Sequence, residues 1–203
     1  MGKVVFVGQI TGFAGDNPCL DPSPPCPYLT AMAKRPILTA PDPRLKEVAK
    51  DVVKVDGDIK KLADDMLETM YAAEGIGLAA TQIGVALRVV VIDVAQKEDR
   101  NEPMVFINPK ITWASEETAK FQEGCLSVPD IWDDVERPVA VRAEYLDRDG
   151  KKQTLEADGL LADCLQHEID HLNGMLFIDH LSRLKRSMAI KKLTKAKKLK
   201  ETA

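Results

Sequence analysis

Apolar and polar positions alternate with two different periods along this chain. In "IKKLADDMLETMYAAEGIG", Ile59, Leu62, Met66 and Met70 recur at helical spacing. Asp58 is expected to mark the start of that helix and Gly75 its end. Strand-like runs follow at 87–95, "LRVVVIDVA", and at 104–113, "MVFINPKITW". "VAVRAEYLDRDGKKQTLEADG" reads as two strands joined by a tight turn at Asp149-Gly150. The helical period returns in "GLLADCLQHEIDHLNG", with Asp158 as its expected cap and Asn173-Gly174 as its end. A last helix is predicted from Ser182 to the C-terminus, with Leu181, Leu184 and Met188 packed inward. This order predicts one α+β domain, with antiparallel strands around a central helix and a C-terminal helix appended.

Composition narrows the picture. The chain has 203 residues, 45% of them hydrophobic and 30% charged, with a net charge of −4. That is enough for one sizeable core and points to no nucleic-acid partner. The longest apolar runs have strand length, far short of a bilayer span, so no membrane association is expected. The four cysteines, at 19, 26, 125 and 164, lack the close pairing of a disulfide framework. Reduced thiols in the cytoplasm fit them better.

Residues 1–31 differ from the rest. "DNPCLDPSPPCPYLT" carries five of the twelve prolines, too many for a regular element. The short apolar run before it is interrupted by Gln9 and Thr11, shows no clear cleavage site and contains no arginine. Residues 1–31 are therefore read as an irregular extension outside the fold. Residues 32–203 form the domain, and Met32 makes a natural start.

The candidate chemistry lies in "QHEIDHLNG". His167 and His171 are four apart, so on a helix they differ by about 40° around the axis. Both imidazoles can reach one metal ion, and Glu168 is placed to touch water on that ion. The plain alternative is an amphipathic helix with polar residues near its end. Yet the chain has only three histidines, and two fall here between apolar Leu165, Ile169 and Leu172.

A catalytic site of this kind needs a third protein ligand and an open position. The extended H-E-x-x-H-x-x-G-x-x-H pattern fails at Phe177. A downstream glutamate is no better, because only Glu201 follows Glu168. His180 stays open, with a surface or capping role the simpler reading. The better candidate is Cys125 in "EGCLSVP", at the edge of a predicted sheet. Cys164 is read as buried packing or as a pocket wall. In "GIGLAATQIG" two glycines let backbone approach a ligand, and Gln82 offers an amide donor.

Together "GIGLAATQ", "EGCLS" and "HEIDH", in this order and spacing, resemble the peptide deformylase family over roughly residues 36–200. "LEADGLLA" and "LDRDGK" resemble its bacterial members. The resemblance implies removal of the N-formyl group from the initiator methionine of nascent peptides, with release of formate. It implies Cys125, His167 and His171 as metal ligands and Glu168 as general base. The Gln82 side-chain amide and the Leu126 backbone N–H would stabilise the oxyanion. Ile76, Gly77 and Cys164 would contact substrate. One divalent metal is implied, Fe2+ as the native ion, with Zn2+, Ni2+ or Co2+ able to replace it. The basic C-terminal helix would approach the ribosome.

Two positions depart from the pattern. Asp163, four residues before His167, stands where an apolar residue near the methionine pocket is expected; a side chain turned to water near the helix N-terminus is the predicted outcome. Trp132 stands where relatives carry a peptide-contacting arginine, so no such role is assigned to it. The competing functions are an HExxH metallopeptidase and a non-catalytic metal- or ribosome-binding protein.

Overall fold

The computed structural model describes residues 34–95 and 101–201; the extension read at 1–31 lies outside the described residues. Helix α1 spans Gly57–Ala72. Its cap is Asp56 rather than Asp58: the Asp56 carboxylate accepts from the backbone N–H groups of Asp58 and Ile59, leaving Asp58 in the first turn. The stop is also displaced. Glu74 takes the left-handed conformation (φ 56°), and Gly75 N–H closes onto the Met70 carbonyl.

Among the described residues seven strands follow α1: β1 (Gly77–Ala79), β2 (Val89–Ile92), β3 (Met104–Ala114), β4 (Thr118–Cys125), β5 (Val128–Pro138), β6 (Ala140–Leu146) and β7 (Lys152–Asp158). Five form an antiparallel sheet in the order β1-β2-β3-β6-β7, and β4 and β5 form a separate hairpin. The β6–β7 turn contains Asp149-Gly150 as predicted, with Gly150 at φ 77°.

Helix α2 (Gly159–Leu172) leaves β7 directly. Asp158 occupies the cap position but makes no side-chain capping bond. Helix α3 spans Arg183–Glu201.

The fully buried strand β2 explains the layering. Val90 and Ile92 face α2, meeting Leu165, Ile169 and Leu172. Val89 and Val91 face the other way, meeting Leu62, Met66 and Met70 of α1. The strand period of two thus splits one run of valines between two cores. Each such fully buried Leu or Met side chain stabilises the fold by roughly 1.5–3 kcal/mol.

A third cluster joins the β4–β5 hairpin to the C-terminal part of the chain, through Val128, Val135, Phe177, Ile178, Ala189 and Leu193. Here the predicted phase of α3 is wrong. Ala189 and Leu193 are the buried positions and Leu181 is partly buried, whereas Leu184 and Met188 are 71% and 63% exposed. Small Ala189 lets the helix approach the hairpin, and that contact sets its rotation.

Candidate metal centre

Three elements converge on one point. The helical period of α2 puts His167, Glu168 and His171 at its buried face. The hairpin turn from β4 to β5 delivers Cys125, whose Cα partner across the turn is Val128. The short 3-10 turn Ala80–Ile83, which follows β1, delivers Gln82. One ligand atom from each of Cys125, His167 and His171 lies within 4.8 Å of the other two. Cys125 Sγ and His171 Nε2 are 3.2 Å apart. His180 does not join them; it pairs at the surface with Asp170, at 2.7 Å.

The donor set fits a cation. Burial and the nearby His167 push His171 well below the usual histidine range, so its imidazole is a neutral lone-pair donor. At His167 burial works in the same downward sense, but hydrogen bonds to Cys125 and Glu123 overcome it and pull the ring well above that range. This corner of the site therefore attracts positive charge. A thiolate and two imidazoles suit Zn2+, Fe2+, Co2+ or Ni2+. Ser127 N–H donates to Cys125 Sγ at 3.4 Å.

Glu168 is 3% exposed, and its Oε2 is buried without a hydrogen-bond partner among the described residues. Burial is the main reason that its carboxyl is pushed up to about 7. A carboxylate kept dry and left with one free oxygen is a proton acceptor awaiting a donor. Gly77 makes room for it: a Cβ there would come within 2.5 Å of Glu168 Oε1 and 2.8 Å of Cys164 Sγ. Ile76 is 2% exposed and Cys164 is fully buried, with the Cys164 Sγ 3.9 Å from the Ile76 carbonyl oxygen.

Gln82 is fixed at both ends of its amide. Oε1 accepts from Ala79 N–H at 2.7 Å, while Nε2 faces Ser127 Oγ at 3.2 Å and Cys125 Sγ at 3.6 Å. Leu126 packs its side chain with the α1 core and against Gly75. The segment before α1 straps this region together. Leu38 N–H donates to the Gln82 carbonyl and Ala40 N–H to the Ser127 carbonyl. Arg35 anchors the strap, its guanidinium on Asp65 at 2.9 Å and its backbone N–H on Thr69.

Glu123, Arg137 and Ser127 have parts that the sequence reading missed. Glu123 Oε2 faces His167 Nδ1 at 2.5 Å, which leaves Nε2 for an ion. Arg137 binds Glu123 through Nε at 2.6 Å and Asp170 through Nη1 at 2.9 Å. Burial opposes the charge on Glu123, but the bonds from His167 and Arg137 hold it down at about 2. Glu123 had a legible signal, two residues before Cys125 on a strand. Arg137 had none, because its meaning depends on the β4–β5 pairing.

Asp163 contradicts its expectation. It is not turned to water but is 0% exposed, with Arg137 Nε 3.6 Å from its Oδ1. The packing of α2 against the hairpin, rather than the helix N-terminus, decides its place. Trp132 lies across Gly124, where an added Cβ would meet the indole at 2.4 Å.

A buried sulfur–imidazole triad with a free carboxylate beside it places the molecule among metal-dependent hydrolases. Comparison with known proteins narrows that class. The family model described as polypeptide deformylase matches residues 34–187. The peptide deformylase of Rhizobium meliloti is 58% identical over 167 residues, which cover 82% of this chain and 96% of that protein. That of Agrobacterium fabrum is 58% identical over 169 residues, covering 83% of this chain and 99% of its own. Among solved structures, the deformylase of Ehrlichia chaffeensis in complex with actinonin has a TM-score of 0.78 at 47% identity, covering 81% of this chain and 98% of its own. The chain belongs to the polypeptide deformylase family. It is a metal-dependent hydrolase that removes the N-formyl group from the N-terminal methionine of nascent polypeptides.

Proposed function

We propose that Cys125, His167 and His171 hold the metal and that Glu168, Gln82 and Leu126 carry the chemistry around it. When bound, the ion would supply a Lewis acid that polarises the formyl group and makes water acidic enough to react near neutral pH. Glu168 takes the proton of the attacking water at its free Oε2 and passes it to the departing amine, which releases formate. Gln82 Nε2 and the Leu126 N–H donate to the oxyanion of the tetrahedral intermediate. Ile76, Gly77 and Cys164 form the wall along which the methionine residue lies, with backbone pairing to the Gly77 strand edge.

Fe2+ is the proposed native ion, and Zn2+, Ni2+ or Co2+ can occupy the same donors. The cytoplasm is the proposed compartment; among the described residues no helix is long and apolar enough to cross a membrane. Exposed Lys191, Lys195 and Lys198 on α3 support approach to ribosomal RNA where nascent chains emerge. Residues 32–203 are the proposed catalytic domain and 1–31 an extension outside it, a division supported by the family match beginning at residue 34.

The observation carrying the site assignment is the meeting of three ligand atoms within 4.8 Å beside the partnerless Glu168 Oε2. Its test is formate release from a formyl-Met peptide by anaerobically prepared enzyme, with metal analysis of the same sample. One equivalent of metal and rapid formate release are expected, and both should fall together in Cys125→Ser. A Cys125→Ser enzyme with unchanged metal affinity would remove that residue from the ligand set.

A further inference from the structure

Deformylation assigns no task to Asp163, although it lies one turn before His167 on α2 and faces the same buried corner. Its surroundings come from three elements: Glu123 on β4, Arg137 on β5 and His167 on its own helix. Arg137, 5% exposed, is the one permanent cation among these neighbours, and three carboxyl groups surround it. Glu123 takes its Nε and Nη2, at 2.6 and 3.2 Å. Asp170 takes Nη1 at its Oδ2, the same oxygen that His180 Nε2 meets. Asp163 is left over: Nε is 3.6 Å away and already committed, and no N–H donor among the described residues hydrogen-bonds either Asp163 oxygen.

An ionised carboxylate in that position would be both dry and unpaired, which is costly by several kcal/mol. Protonation removes the charge and creates an O–H donor. Burial, reinforced by the Glu123 charge, pushes Asp163 up to about 7, in keeping with the geometry. Among these neighbours Glu123 is the acceptor with capacity to spare. A carboxylate has about four lone-pair positions, and here three bonds, two from Arg137 and one from His167, are in place.

We infer that Asp163 is a positioning residue: as a neutral acid it donates its O–H to Glu123, completing the grip that keeps His167 aimed at the metal. With a fourth donor in place Glu123 cannot turn, so its Oε2 stays on His167 Nδ1 and the ring keeps its Nε2 directed at the metal. The inference rests on the reading of His167 as a ligand.

The test uses full-length protein and Zn2+ competition against a chelator, with D163L and D163N compared. D163L removes the donor, and Zn2+ affinity should fall by about tenfold. D163N keeps an N–H donor without a charge, so most of that affinity should return. The melting temperature of D163L should rise meanwhile, because an apolar side chain suits a dry site better than an acid. A residue that only fills space cannot move stability and metal retention in opposite directions. In the loaded enzyme, kcat should fall in D163L while KM for a formyl-Met peptide stays constant. Wild-type Zn2+ affinity in D163L, equal losses in both variants, or a change confined to KM would overturn the inference. Should D163L fail to fold, D163A decides by the same competition. A His167→Ala protein that binds Zn2+ normally would instead defeat the ligand reading itself, whatever Asp163 does.

Discussion

Helix α2 and the β4–β5 hairpin feed the same proposed metal centre, but they hold their donors by different means. On α2 the spacing of His167, Glu168 and His171 is set by backbone hydrogen bonds within one helix, and Leu165, Ile169 and Leu172 dock it on the sheet. The hairpin has its own ladder, but the register shifts between Glu123 and Cys125, just where the sulfur is presented. Cys125 stands at a tight turn whose place is fixed from outside, by Asp170 of α2 on Arg137, by Gln82 on Ser127 and by the strap through Ala40. The helix carries its geometry with it, whereas the hairpin borrows its geometry from distant parts of the chain. Damage to the first should remove a function and leave the structure; damage to the second should spread.

The largest effect is expected on the helix side. Glu168→Gln keeps the size of the side chain and the room that Gly77 provides, but it cannot accept a proton. Turnover should fall by about 10²–10⁴, with metal content unchanged by elemental analysis. Retention of more than a tenth of wild-type formate release would show that the proton goes elsewhere. Loss of metal in this variant would also blur the contrast, since it would mean that α2 is not self-supporting.

That same contrast decides what could be read from the sequence. Every donor on α2 is legible, because a single helical period orders His167, Glu168 and His171. The sheet strands were legible too, from runs of β-branched residues such as Val89–Ile92. Cys125 could be nominated only in company with motifs elsewhere, since nothing local says which way a lone sulfur points. Arg137 was invisible, as its partners Glu123 and Asp170 come from β4 and α2. The same limitation explains Asp163 and α3. Position on a helix predicts a face, but which face is buried depends on the element that packs there. Leu184 and Met188 looked like the inner stripe, and Ala189 and Leu193 form it instead.

The link between the two regions should give the next effect. Glu123→Gln preserves shape but replaces a carboxylate held by His167 and Arg137 with a neutral amide. Metal affinity should drop by about 10- to 100-fold, seen as faster loss of Zn2+ to a chelator. Unchanged affinity would mean that α2 orients His167 unaided, and the hairpin would then matter only for Cys125.

Gly124 probes the hairpin alone. An added Cβ overlaps the Trp132 indole, which is 37% exposed and has an outward path. Gly124→Ala should destabilise the protein by about 1–3 kcal/mol if the backbone next to Cys125 gives way. The double change Gly124→Ala with Trp132→Ala should recover most of that loss in thermal melts and in metal retention. Failure of the second substitution to rescue the first would place the strain in the turn itself rather than in the ring.

The smallest effect belongs to the most remote support. Arg35 binds Asp65 in a pair that is open to solvent on the arginine side, with Arg35 39% and Asp65 1% exposed. Exposure limits the contribution of such a contact to about 1 kcal/mol or less, so Arg35→Ala should barely move the melting temperature. Its consequence should appear further along the strap, where Leu38 and Ala40 hold the carbonyls of Gln82 and Ser127. A looser strap leaves Gln82 free to drift relative to Cys125, while His167 and His171 keep their places on α2. The expected result is a few-fold lower kcat, within the loss that misplacement of a positioned group can cause, with KM and metal content unchanged. Metal loss in Arg35→Ala would instead mean that the strap supports the whole centre, and the division between a self-framed helix and a borrowed hairpin would fail.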